Sequence, residues 1–187
     1  MMQTILNRRG FIKAAAAGVG GLSVLSACGQ DASGVNKPLR VALIGCGLQG
    51  IGTHIPSLCK ERLVAVADPD RRQIAGALKR VREVSPATDA AAIRTFSDYR
   101  TLFDAMGKEL DAVMIATPNH QHALPALLAI RRGIHVYVEK PLAHTLAEVR
   151  QLTEEARRNG VVTQMGNQGQ SSEGSRLLSE YIAAGAI

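Results

Sequence analysis

From Leu39 onward, short apolar runs alternate with amphipathic stretches. Leu39–Ile44, Leu63–Ala67, Ile93–Phe96, Ala112–Ala116, His135–Val138 and Val161–Gln164 read as strands. The stretches between them carry apolar residues at helical spacing: Gly50–Lys60, Arg71–Val84, Asp98–Met106, His120–Arg132 and Thr145–Asn159. A further helix is expected over Glu173–Ala184. Ser97 is placed to cap the third helix and Gly107 to stop it. Pro125 must sit in the first turns of the fourth helix or bend it. Thr145 and Glu148 form a capping box, with Gly160 as the stop. Near-continuous apolar strands suit a sheet covered on both faces. Strands alternating with helices imply right-handed crossovers and parallel pairing. The expected fold class is therefore α/β, a doubly wound parallel Rossmann sheet of order 3-2-1-4-5-6.

The first 28 residues lack this rhythm. Arg8-Arg9, Phe11 and Lys13 precede an Ala/Gly-rich, mildly apolar stretch that ends Leu25-Ser26-Ala27-Cys28. A basic start, a short apolar region and small residues before a cysteine read as an export signal. The arginine pair resembles a twin-arginine signal, and the segment ending at Cys28 resembles a lipoprotein box, which makes Cys28 a candidate lipidation site. The stretch is too short and too glycine-rich for a membrane span. Polar residues 29–37 read as a linker. The expected location is outside the cytoplasm, reached by the twin-arginine route, with a membrane tie only through Cys28.

Composition adds limits. The chain has 187 residues, no Trp and 3% aromatics, so Ala, Val, Leu and Ile must fill the core. Three of the positive charges precede Cys28; subtracting them from the net +6 leaves +3. The rest scatter over expected helices, and no basic run is interleaved with aromatics, so no nucleic-acid partner is expected. Cys46 and Cys59 stand at opposite ends of one helix, about 20 Å apart at 1.5 Å per residue, beyond disulfide reach. His120 and His122 lack accompanying carboxylates or thiols, so no metal site is expected.

The chemistry gathers at strand ends. Gly45-Cys46-Gly47-Leu48-Gln49-Gly50 follows the first strand as a G-x-G-x-x-G turn. Gly45 permits a tight turn, Gly47 lets a pyrophosphate approach the backbone, and Gly50 allows close helix–strand packing. The following helix start offers free N–H groups to phosphate. Asp68 ends the second strand, where an acid accepts hydrogen bonds from an adenine ribose. It favours NAD, whereas Arg71 and Arg72 are near enough to pair with a 2′-phosphate and leave NADP open.

Two later segments narrow the class: Thr117-Pro118-Asn119-His120-Gln121-His122 after the fourth strand, and Glu139-Lys140-Pro141 after the fifth. With the glycine loop they resemble the Gfo/Idh/MocA family of sugar and polyol oxidoreductases. Gln164–Gly169, with Asn167, resembles that family's domain junction. The resemblance runs from about Pro38 to the end. It implies that Leu48, Gln49, Arg72, Thr117, Asn119, His122 and Asn167 lie beside the cofactor. It places Glu139 and Lys140 near the nicotinamide, with Lys140 catalytic through the substrate hydroxyl and its proton. It implies a Rossmann domain over 38–165 and, over 166–187, the start of a second α+β substrate domain that is largely absent from this chain. In the family that domain also forms the oligomer interface.

The leading functional expectation is hydride transfer from a sugar or polyol hydroxyl to NAD, in an enzyme exported with its cofactor. A second reading is NAD-dependent, redox-neutral glycoside cleavage in the same superfamily. A third is a non-catalytic nucleotide-binding module.

Overall fold

The computed structural model describes residues 37–186. The expected export signal, Cys28 and residues 29–36 lie outside the described residues. Six strands form one parallel sheet: β1 (Arg40–Ile44), β2 (Arg62–Ala67), β3 (Arg94–Phe96), β4 (Ala112–Ile115), β5 (His135–Glu139) and β6 (Thr163–Gly166). Their order is β3-β2-β1-β4-β5-β6, as the alternating pattern requires. β1 is central because it pairs with both β2 and β4. The order therefore reverses beside it. That reversal opens a crevice at the carboxyl ends of the strands, where ligands bind in such sheets.

The connecting helices are α1 (Ile55–Leu58), α2 (Arg71–Val84), α3 (Tyr99–Met106), α4 (Ala123–Ile130) and α5 (Leu146–Asn159); α6 (Glu173–Ala183) follows β6. One sheet face buries Ala42, Ile44, Val113, Ile115, Val136 and Val138 against Leu102, Phe103, Ala126, Ile130 and Leu152. The other buries Val41, Leu43 and Val66 against Ile55, Ala77 and Val81. No aromatic cluster is needed: small aliphatic side chains let helices approach the sheet closely.

Four local expectations are corrected. The first helix is not uniform: Gly50–His54 forms π-helical turns before α1. Pro56 cannot donate to the carbonyl four residues back and crowds it, so the turn before it widens. Asp98, not Ser97, caps α3, its carboxylate accepting from the Arg100 N–H at 2.8 Å. The fourth helix begins as a 3-10 turn, Asn119–Gln121, and only then becomes α4, with Pro125 in its first turn, where no intrahelical N–H bond is lost. β6 lies two residues later than its apolarity suggests, because pairing of Val136–Glu139 with Thr163–Gly166 sets its register.

The Thr145–Glu148 capping box is formed, and Gly160 closes α5 at φ +63°. Beyond β6, Leu177, Leu178, Tyr181 and Ile182 of α6 are exposed.

Core and cap differ in energetic weight. Leu43→Ala opens a cavity in a fully buried site and should cost ~2–5 kcal/mol. Thr145→Ala loses one cap and should cost ~1 kcal/mol. Urea unfolding of the two variants beside the parent checks the ranking.

Candidate functional site

The glycine loop closes over the reversal point. Gly45 has φ +93°, and a Cβ there would stand 2.6 Å from the Ala116 backbone at the end of β4. A Cβ at Gly50 would collide with the Gly45 carbonyl. Both are glycine because the chain itself leaves no room. A Cβ on Gly47 would meet nothing within 4 Å. Packing within the protein therefore gives no reason for glycine there, while close approach of a ligand to the backbone does.

Asp68 ties this loop to the turn after β2. One carboxylate oxygen accepts from the Cys46 N–H at 2.8 Å and the other from the Asp70 N–H at 2.8 Å. Cys46 beneath it is a free, buried thiol, pushed by burial and then by the Asp68 charge up to about 12. It is a packing group. Cys59 is also free.

A cleft of about 630 Å³ opens above the loop. Gly45, Gly47, Leu48, Gln49, Asp68, Asp70, Thr117 and Pro118 are among its walls. Leu48 is 94% exposed at the loop tip. The volume is that of a small-molecule site. Of the other expected cofactor residues, Thr117 lines the cleft and donates its hydroxyl to the Gln121 carbonyl at 3.1 Å. Asn119 and Asn167 are exposed at the ends of β4 and β6, and neither is among the residues lining the cleft. Arg72 is exposed, and its guanidinium is taken up by Asp70.

The expected cofactor residue His122 is turned inward. It is 1% exposed. Its Nε2 lies 2.8 Å from the Thr117 carbonyl and its Nδ1 against the Pro141 carbonyl. It joins the loop after β4 to the loop after β5 from below. The 3-10 turn before α4 directs the ring inward.

Glu139 is 4% exposed at the end of β5. Its Oε1 accepts from the amides of Gln168 and, at 3.3 Å, Gln49; its Oε2 accepts from the Lys140 N–H at 3.3 Å. His54 Nε2 stands 2.7 Å from Oε1, but off the line of a hydrogen bond, so proximity rather than a formed bond links them. Burial pushes the His54 imidazole below its ordinary value, against the pull of Glu139. Burial pushes the Glu139 carboxyl up, yet the two amides, His54 and the Lys140 N–H together hold it below its ordinary value. Sequence reading missed His54, Tyr137 and Gln168. Gln168 lies in the segment that resembled a domain junction, and its amide also reaches the Tyr137 hydroxyl at 3.3 Å. Lys140 itself is exposed, and its peptide to Pro141 is cis.

A crevice at a strand-order reversal, walled by a glycine turn and an acid at the end of β2, defines a dinucleotide-binding α/β domain. The sequence profile of the Gfo/Idh/MocA oxidoreductase family, NAD-binding Rossmann fold, matches residues 39–167. The chain belongs to that family. It is 32% identical over 157 residues to levoglucosan dehydrogenase of Pseudarthrobacter phenanthrenivorans, covering 80% of this chain and 38% of that protein. It is 33% identical over 129 residues to glycosyl hydrolase family 109 protein 1 of Bacteroides fragilis, covering 64% of this chain and 27% of that one. Among solved structures, scyllo-inositol dehydrogenase of Lactobacillus casei with bound NAD(H) shares the fold at TM-score 0.64 and 21% identity, over 81% of this chain and 42% of that one. The chain thus spans well under half the length of these relatives.

The buried pair makes stability pH-dependent. The unfolded chain protonates His54 near its ordinary 6.5, whereas the folded state resists the proton. Stability is therefore full above that value and falls as pH drops below it, by up to ~1.4 kcal/mol per pH unit. Glu139, also depressed, adds a second loss below its ordinary 4.5. Urea midpoints against pH should show both limbs, and His54→Gln should remove the upper one.

Proposed function

We propose that this chain is the nucleotide-binding part of an NAD-dependent sugar or polyol dehydrogenase. The carrying observation is that Gly47, Asp68 and Glu139-Lys140 all stand at carboxyl ends of strands in one parallel sheet, the first two walling the cleft at the reversal point. The relatives' names support the substrate class. NAD, when bound, supplies the acceptor for a hydride leaving a carbinol carbon. The chain's own residues do the rest. The Gly45–Gly50 loop receives the pyrophosphate, and Asp68 keeps lone pairs for the ribose hydroxyls. The buried Glu139 fixes the backbone of Lys140, whose amine takes the hydroxyl proton as the carbonyl forms. His122 holds the two loops that carry Thr117 and Lys140. Rossmann residues 38–165 are followed by the beginning of a substrate domain, which would bring the sugar and mediate oligomer formation. Residues 1–28 direct export with the cofactor in place, and Cys28 takes the lipid.

A second reading is favoured by the glycosyl hydrolase relative. In it, transient oxidation of a ring carbon assists loss of the aglycone, and the same hydride is returned. The two readings differ in product. A dehydrogenase accumulates NADH in step with sugar oxidised; the hydrolase releases aglycone without net NADH. Absorbance at the reduced nicotinamide band, run beside aglycone release on the full-length enzyme, separates them.

Binding is tested on the chain alone by calorimetric titration with NAD. Asp68→Ala removes the ribose acceptor and should weaken NAD about tenfold or more. Gly47→Ala should weaken NAD comparably while leaving the urea midpoint near that of the parent, since its Cβ meets no protein atom. Unchanged NAD affinity in both variants would remove the glycine loop and Asp68 from the site.

A further inference from the structure

The adenine end of the cleft holds an arrangement that the glycine loop and Asp68 do not account for. Asp70 lines the cleft two residues beyond Asp68. Its carboxylate caps α2, accepting from the Arg72 N–H at 2.9 Å. The same carboxylate grips the Arg72 side chain: Nε lies 3.1 Å from both oxygens, and one terminal nitrogen lies 2.8 Å from Oδ2. This is the side-on, two-pronged pairing that guanidinium and carboxylate geometry favours. Arg72 otherwise stands in solvent with 92% of its side chain exposed.

An arginine just after the second strand is the group that takes a 2′-phosphate in NADP-binding relatives of this fold class. Here it has a partner already. A phosphate arriving beside Asp68 would meet that carboxylate and an Arg72 guanidinium whose Nε and one terminal nitrogen are already held by Asp70. A ribose hydroxyl meets no such difficulty, because it can donate to Asp68 and carries no charge.

We propose that Asp70 is a specificity-determining residue, which holds Arg72 away from the 2′ position and so sets the preference for NAD over NADP. The acid at the end of β2 reads the ribose; the second acid disarms the arginine that could have answered a phosphate. The proposal rests on the cleft being the dinucleotide site.

The test uses the ratio of the NADP and NAD dissociation constants, measured by calorimetry on the full chain. Asp70→Asn keeps an oxygen to cap α2, and Asn is as good a cap as Asp. It removes the charge that grips Arg72. The ratio should fall about tenfold, the scale of one charge-assisted hydrogen bond. The gain should shrink at high salt, since the released pair is exposed. Adding Arg72→Ala to Asp70→Asn should abolish the gain, whereas adding Arg71→Ala should not. Arg72→Ala alone, in the parent chain, should move the ratio less than twofold.

Three results would overturn the proposal. The ratio in Asp70→Asn could stay at the parental value. The gain could survive loss of Arg72, which would make charge removal the whole effect. Arg72→Ala alone could weaken NADP tenfold, showing the arginine available in the parent. The single Arg72 variant leaves the cap carboxylate in place, so it decides the matter even where Asp70→Asn does not fold. Failure of the underlying reading looks different: the parent chain would bind neither nucleotide, and both proposals would fall.

Discussion

Everything at the site depends on how closely three backbones meet at the carboxyl edge of the sheet. The Gly45 N–H donates to the Ala67 carbonyl at 2.9 Å, and the Ala116 N–H donates to the Ile44 carbonyl at 2.8 Å. The ends of β1, β2 and β4 are thereby fixed to one another before any side chain is considered. No Cβ fits at Gly45 or Gly50 because these backbones already fill the space. Asp68 adds the side-chain stitch, since its two oxygens hold the loop after β1 and the turn after β2. Such a carboxylate is oriented before a ligand arrives, so ordering it costs little on binding.

The far end of the crevice is built differently. Burial makes an ionised carboxylate expensive unless donors compensate it. Glu139 has two amides and a backbone N–H to do so. These donors come from the glycine loop, from the segment after β6 and from Glu139's own neighbour. Three separate parts of the chain therefore converge on one side chain. Gly166 sits beside this cluster, and a Cβ there would press on Glu139 and the Tyr137 hydroxyl at 2.9 Å. The residue after Glu139 is Lys140, so whatever fixes the carboxylate fixes the start of the lysine's backbone as well.

The sheet order was legible because each central strand is buried on both faces, and so short an apolar run between glycines and acids cannot make a buried helix. The glycine loop and Asp68 were legible because their spacing follows from a covalent path: one turn, one helix, one strand. The interior of the site was not legible in the same way. His54 and Gln168 are ordinary polar residues in ordinary contexts, and only the tertiary fold brings them to Glu139. The widened helical turn was not read, because Gly50–Lys60 carries a single helical pattern of apolar positions. β6 was misplaced because Val161 and Val162 are more apolar than Thr163 and Gln164, while hydrogen bonding to β5 decides register. His122 could be recognised as significant from its segment, yet its direction depends on a 3-10 turn that apolar periodicity does not report.

The charge layout along the crevice ties these parts together. Acids stand at the adenine end, where Asp68 and Asp70 are half-buried and hold backbone N–H groups. At the other end the carboxylate is buried and the cation is exposed. A ligand that is anionic in its middle and presents neutral hydroxyls at the Asp68 end would meet acceptors at Asp68 and backbone N–H groups at the glycine loop. Moving a negative charge to the first position would set it against the Asp68 carboxylate. The same layout explains why Lys140 is the side chain left in the open. Glu139, adjacent in sequence, is turned inward and occupied by the amides of Gln49 and Gln168, so it does not draw the Lys140 side chain down with it. Its side chain stays exposed at the carboxyl end of β5.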